Sequence, residues 1–396
     1  MSDVEGRAIQ TLLQGLGPGR GLAAGLAPGR VTLVGEHVDY VGGRIVCMAV
    51  DLSLAVAVRP SPDGRWRAVS AGRRVERSSP SAQGDIGDRL FAAAMALRLR
   101  GVATPPLEMG VASDLPESAG LSSSAALTSA ALVAMLRLAG QAVSADELVA
   151  TALVAERDIV GVPCGELDQR AVVHSRADSV LALDCELGSH WAVPWPWRDL
   201  CVVVAASGET HDVGGAGYRA RREAATRACA ALGVSSCQHI GDRWRELPVE
   251  IQRFGRHIAT ETRRADSAIE MLEAGDVQAL GRLIDESHES LRGDYMVSTE
   301  RLDAMTAAAR QAPGCYGARL VGAGFGGSAM ALVEREAAYD CAAAMAVISG
   351  QPDATWLVEP AAGLEVTAHD VVVDPASAAT AVRNDPPSRH ARPRNR

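Results

Sequence analysis

Ser122, Ser123 and Ser124 stand where a loop containing Pro116 and Gly120 meets a long helical pattern, in the stretch DLPESAGLSSSAALTSAALVAMLRL from Asp114 to Leu138. Such a loop can curl closely around a ligand, and a helix N-terminus offers unpaired N–H groups to an anion, so a triphosphate suits this place. The same serines also read as ordinary N-caps. Glu156 falls near the end of a helix that begins at the Ser144/Glu147 capping box, where the dipole disfavours negative charge unless a cation offsets it. A solvated glutamate or a salt bridge to Arg157 would answer equally well. Asp168 stands just before regular structure, as a cap or turn acceptor does, and a phosphoryl-transfer site needs such a carboxylate near the acceptor hydroxyl. Glu36, His37, Asp39 and Tyr40 lie after Arg30 between two strand-like runs. They read either as solvated turn residues or as the wall of a pocket for a polyhydroxylated ligand.

Composition narrows this chemistry. The 396 residues include no lysine, so every one of the 39 basic side chains is an arginine, which excludes a Walker A lysine and the ATP-pairing lysine of protein kinases. A net charge of -9 disfavours a nucleic-acid surface. The eight cysteines show no CxxC pair and point to a reduced cytoplasm. The N-terminal MSDVEGRAIQ lacks an export pattern, and no apolar run reaches membrane-spanning length.

The elements that must position these residues follow from periodicity. Helices are expected over Arg7 to Leu16, Asp88 to Leu99 and from Ala125 onward, the last burying one face through Leu132, Met135, Leu136 and Ala139. GPGRGLAAGLAPG, ending at Gly29, cannot sustain a helix and is expected to lie over the surface. Strands are expected around Val31 to Leu33 and Val46 to Arg59, as a hairpin over Gly64 to Val75, and over Leu107 to Val111. Ala171 to His174 and Ser179 to Asp184 read as the two strands of another hairpin. Trp191, Trp195 and Trp197, interleaved with prolines, read either as a domain crossing or as a packed connector. Beyond it come a buried strand at Leu200 to Ala206 and helices over Glu223 to Leu232, Val249 to Met271, Val277 to Leu291 and after Arg301. VGAGFGGSAMALV reads as strand, glycine turn and strand; a last helix covers Ala337 to Ile348 and a last strand Thr355 to Glu359. His288 reads as a surface or interhelical histidine. The expected domains are 1–190 and 191–370, with a flexible tail over 371–396.

Three phrases, APGRVTLVGEHVDYVGG at 27–43, DLPESAGLSSSAAL at 114–127 and LVGAGFGGSAMALV at 320–333, occur in this order. Together they resemble the three motifs of the GHMP small-molecule kinases, and EHVDY with CGELDQ at 164–169 is similar to the members that act on galactose. The resemblance implies an α+β GHMP kinase fold, with an N-terminal domain like domain 2 of ribosomal protein S5 and a ferredoxin-like C-terminal domain. It implies that Gly120, Leu121, Ser122, Ser123 and Ser124 wrap the phosphates of ATP, the co-substrate, and that Ser124 and Glu156 hold Mg2+. It further implies that Glu36, His37, Asp39 and Tyr218 bind sugar hydroxyls, while Asp168 faces the anomeric hydroxyl with Arg30 beside it. The expected partners are then a small sugar and ATP, with no nucleic acid and no membrane, for a monomeric chain. Other acceptors (arabinose, an amino sugar, a uronic acid or a heptose) would use the same machinery, and a non-catalytic sugar sensor would keep the same sites. The chain departs from the family pattern at Ser118, at Arg157, in the glycine-rich HDVGGAG before Tyr218, and at Ser328.

Overall fold

The computed structural model describes residues 2–116, 119–209 and 215–364; Ser118, residues 210–214 and the expected tail beyond residue 370 lie outside them. Helix α1 (Asp3–Leu16) starts on a capping box, with Ser2 Oγ accepting from the Glu5 N–H and the Glu5 carboxylate accepting from the Ser2 N–H. Strands β1 (Ala23–Val34) and β2 (Arg44–Pro60) then pair antiparallel along nearly their whole length. The Gly- and Ala-rich run is therefore not a surface segment. Its second half is a buried strand, because small residues let it lie directly beneath a helix: a Cβ on Gly25 would come within 2.2 Å of the Ala130 carbonyl oxygen.

The hairpin β3 (Trp66–Ser70) and β4 (Arg73–Arg77), helix α2 (Gly87–Leu99) and strand β5 (Leu107–Ser113) follow. Helix α3 (Ser123–Leu138) buries an unbroken run from Ala125 to Leu136, not one face. Its alanines admit β1 and β2 on one side and the helices α4 (Ala145–Leu153) and α5 (Leu167–His174) on another. Helix α5 replaces the first strand of the expected hairpin. The apolar run AVVH is too short for its period to separate helix from strand, and packing against α3 and α4 decides it. The hairpin is instead β6 (Ser179–Asp184) with β7 (Ser189–Pro194). Strand β2 is the spine of this eight-stranded sheet: along one edge it bonds β6 and then β5, while β1 takes the other.

The second sheet begins with β8 (Leu200–Ala206), followed by helices α6 (Ala216–Leu232), α7 (Val249–Ala274), α8 (Val277–Ser290) and α9 (Glu300–Gln311). Strands β9 (Cys315–Val321) and β10 (Ser328–Glu334), helix α10 (Ala338–Ser349) and strand β11 (Thr355–Val358) complete an antiparallel sheet ordered β11-β8-β10-β9. The short β12 (Pro360–Ala361) returns to β2 and ties the segment after the second sheet to the first sheet. No helix of the described residues is long and apolar enough to cross a membrane.

Candidate active site

Asp168 lies in the first turn of α5, and Arg30 reaches it from β1 at a break in strand register between Pro28 and Arg30. The Arg30 guanidinium approaches Asp168 Oδ1 with Nε at 2.8 Å and Nη2 at 2.5 Å. Its Nη1 donates to the Gly120 carbonyl at 2.6 Å, and its backbone N–H donates to the Leu121 carbonyl at 3.1 Å. One buried arginine thus joins the carboxylate to the serine loop. Burial works against its charge, but the carboxylates of Asp168 and Glu36 outweigh this and raise its pKa.

Ser122 adopts the left-handed conformation, φ +58°, which is uncommon outside glycine. Its hydroxyl does not cap α3, and it is buried without a hydrogen-bond partner. The simple N-cap account of the serines therefore fails at Ser122, and no side chain caps the first turn of α3.

Glu156 sits in a π-helical turn, Val154–Val160, that continues α4. It is 2 % exposed, accepts from Gln169 Nε2 at 3.2 Å and has no ion-pair partner among the described residues. Burial raises its pKa, with Arg89 pulling the other way. On α3 the Thr128 hydroxyl is buried without a hydrogen-bond partner, and Ser124 lies one helical turn before Thr128 on the same face. A buried carboxylate with no ion pair among the described residues, beside the unpartnered Gln169 Oε1, suits a hard divalent cation on chemical grounds.

The loop carrying Glu36, His37 and Asp39 is clamped by α7. The Glu261 carboxylate accepts the Gly35 N–H at 2.8 Å, and His257 Nε2 donates to the Glu36 carbonyl at 3.1 Å. Glu36 Oε1 accepts the Gly322 N–H at 2.7 Å and lies 2.9 Å from Nη2 of the buried Arg319. The glycine turn between β9 and β10 is thereby tied to the loop. Both ring nitrogens of His37 are engaged: Nε2 donates to the Ala323 carbonyl at 3.1 Å, and Nδ1 accepts from the Tyr40 hydroxyl at 2.9 Å. This tautomer is neutral, in keeping with burial that pushes the His37 pKa down to about 4.

Asp39 makes no ion pair among the described residues. Burial, with Asp168 and Glu36 nearby, pushes its pKa up to about 6. It fits against Gly165 so closely that a Cβ there would fall 1.5 Å from Oδ2, so any side chain at 165 would push the Asp39 carboxylate aside. Arg30, Glu36, His37, Asp39, Asp168 and Tyr218 all line one pocket of about 540 Å³, with Tyr40, Gly165 and Gly322 among the remaining lining residues. Sequence reasoning placed those six together. It missed the support from His257, Glu261 and Arg319, and from Tyr295, whose hydroxyl lies 2.8 Å from that of Tyr40. Of these only Arg319 carried a local signal, a charge inside an otherwise apolar strand.

The buried histidines set an acid limit on stability. Burial is the largest cause of pKa values pushed down to about 4 at His37 and His174 and to about 3 at His257 and His288. The unfolded chain takes up these protons near 6.5, so it binds more protons than the folded state between that pH and about 4. Stability fully present above pH 6.5 is lost as pH falls through this window. The carboxyl groups of Asp39, Asp51, Glu156 and Asp285, all raised by burial, oppose this trend. The urea midpoint is expected to fall steadily from pH 7 to pH 5; a flat or rising midpoint would contradict the buried neutral histidines.

A serine loop at a helix start, a buried carboxylate without an ion pair among the described residues and a polar pocket between two sheets fit a small-molecule kinase of the GHMP class. Residues 89–176 match the GHMP kinases N terminal domain and residues 268–347 the GHMP kinases C terminal. Residues 20–60 match the galactokinase galactose-binding signature. The galactokinase of Roseiflexus sp. (strain RS-1) is 38% identical over 324 residues, covering 78% of this chain and 83% of the relative. That of Canis lupus familiaris is 33% identical over 324 residues, with the same 78% and 83% coverage. The crystal structure of Lactococcus lactis galactokinase complexed with galactose superposes with a TM-score of 0.83 at 24% identity, covering 90% of this chain and 98% of that one. The chain belongs to the galactokinase family.

Proposed function

We propose that this protein transfers the γ-phosphoryl group of ATP to O1 of D-galactose, giving α-D-galactose 1-phosphate and ADP. The observation that carries this reading is Arg30, which joins Asp168 in the polar pocket to Gly120 of the serine loop. In-line transfer needs the acceptor hydroxyl and the phosphates brought together, and a shared arginine spans that gap. Asp168 accepts or orients the hydroxyl proton, while Arg30 offsets the negative charge that develops as it leaves. Asp39 and the Tyr218 hydroxyl bind sugar hydroxyls. Glu36 and His37, whose polar atoms are largely engaged within the protein, hold the loop in shape. The first turn of α3 with Gly120, Leu121, Ser122 and Ser123 receives the phosphates. Ser124 and Glu156 would hold Mg2+, which neutralises phosphate charge when bound.

One observation favours a second reading in which the acceptor is a uronic acid. Next to the pocket, beyond Asp39 and Tyr40, lies a recess of about 930 Å³ whose lining includes Arg157 and Arg222. Rates should therefore be compared for galactose, glucose, N-acetylgalactosamine, arabinose and galacturonate, with NMR identification of products. Galactose is expected to lead in kcat/KM by more than about tenfold, since a sugar that mispairs a buried polar group loses more than shape mismatch would cost. A tenfold advantage for another acceptor would overturn galactose and leave the sugar kinase standing. No turnover with any sugar would favour a sensor.

A further inference from the structure

We propose that Asp146, His174 and His190 form a binding site for a divalent cation of the zinc class, separate from the phosphoryl-transfer site. One ligand atom from each residue can be chosen so that all three lie within 4.8 Å of one another, as donors to a common ion must. They come from three elements: the first turn of α4, the last residue of α5, and β7. His174 Nε2 lies 3.2 Å from Asp146 Oδ1, and the two imidazoles stack with centroids 3.9 Å apart at 28°.

This arrangement leaves donor capacity unspent. His174 Nε2 is buried without a well-formed hydrogen bond, and the His190 imidazole makes no hydrogen bond among the described residues. Burial and the neighbouring His190 push the His174 pKa down to about 4, and burial also lowers that of His190, so both rings offer lone pairs at neutral pH. Nearby Arg170 does not oppose a cation with a bare charge, because its Nε is paired with Glu166 at 2.8 Å. Two imidazoles and one carboxylate are the donor set of zinc, and also suit cobalt, nickel and copper, whereas Mg2+ prefers oxygen donors and sheds water reluctantly. Three protein donors leave a position for water. The consequence for the fold is a tether: His174 ends the helix whose first turn carries Asp168, about 9 Å away at 1.5 Å per residue. A bound ion would fasten that helix to α4 and β7.

The test is calorimetric titration of the full chain with Zn2+ in reducing, Mg2+-containing buffer, together with the absorption spectrum of the Co2+ form. One ion per chain should bind, raising Tm, and the Co2+ spectrum should lack thiolate charge-transfer bands despite the eight free cysteines. His190→Gln and Asp146→Asn should each weaken binding by at least about tenfold and remove the Tm shift. His174→Gln should do the same; if it fails to fold, the other two variants decide, since Asp146 is exposed and His190 is less buried than His174. Absence of saturable binding, thiolate bands, or unchanged affinity in the His190 and Asp146 variants would overturn the site.

Discussion

Asp168→Asn is expected to lower kcat by about 100- to 10,000-fold while the affinities for ATP and galactose change little. Asparagine keeps an oxygen that can accept from Arg30 Nε, so the 2.8 Å contact and the link through Nη1 to Gly120 should survive. What disappears is the anion that takes or orients the hydroxyl proton. The reading needs both kcat and calorimetric affinities, because loss of binding would point to a collapsed pocket. Near-normal turnover in a folded variant would exclude the role given to Asp168. Arg30→Lys tests the same junction from the other side: an ammonium is a single point charge and cannot span Asp168 and Gly120 as the guanidinium does.

Glu156→Gln is expected to separate activity from stability. An amide of the same shape can still pair with Gln169, and it removes a charge that burial penalises, so Tm should hold or rise. The Mg2+ concentration required for half-maximal rate should meanwhile increase by at least about tenfold. Ser124→Ala should shift the same requirement less, because a hydroxyl donates a lone pair to a cation without neutralising it. A Mg2+ titration of initial rates checks both variants, with sugar affinity as the control. An unchanged metal requirement in both would count against Glu156 and Ser124 as ligands. A fall in Tm for Glu156→Gln would show that the carboxylate is compensated within the protein, with Arg89 as the obvious source.

Local chemistry was legible in the chain by itself. The Ser144/Glu147 capping box, the helix that follows the serine loop, the long helices of the second half and the strand, glycine turn and strand near 320–333 depend on neighbours a few residues away, and each is present, though α3 starts at Ser123, two residues before the pattern places it. The three motifs in their order were enough to point to the family. The readings that failed lacked a decisive local signal. Small residues from Ala23 to Gly29 looked like surface coil and became a buried strand, since the reason for small side chains there is the backbone of α3 overhead. Ala171 to His174 looked like a strand and is helical because α3 and α4 pack against it. The same distinction governs the site. The sequence by itself determined which side chains are available: a serine loop, several carboxylates and arginine as the sole fixed cation. Only the tertiary structure decided how they are paired, because those choices depend on contacts across 138 residues for Arg30 and Asp168, 226 for Gly35 and Glu261, and 286 for Glu36 and Gly322. Hydrogen-bond and charge energies act over a few ångströms, and only the folded chain brings groups so far apart in sequence within that range.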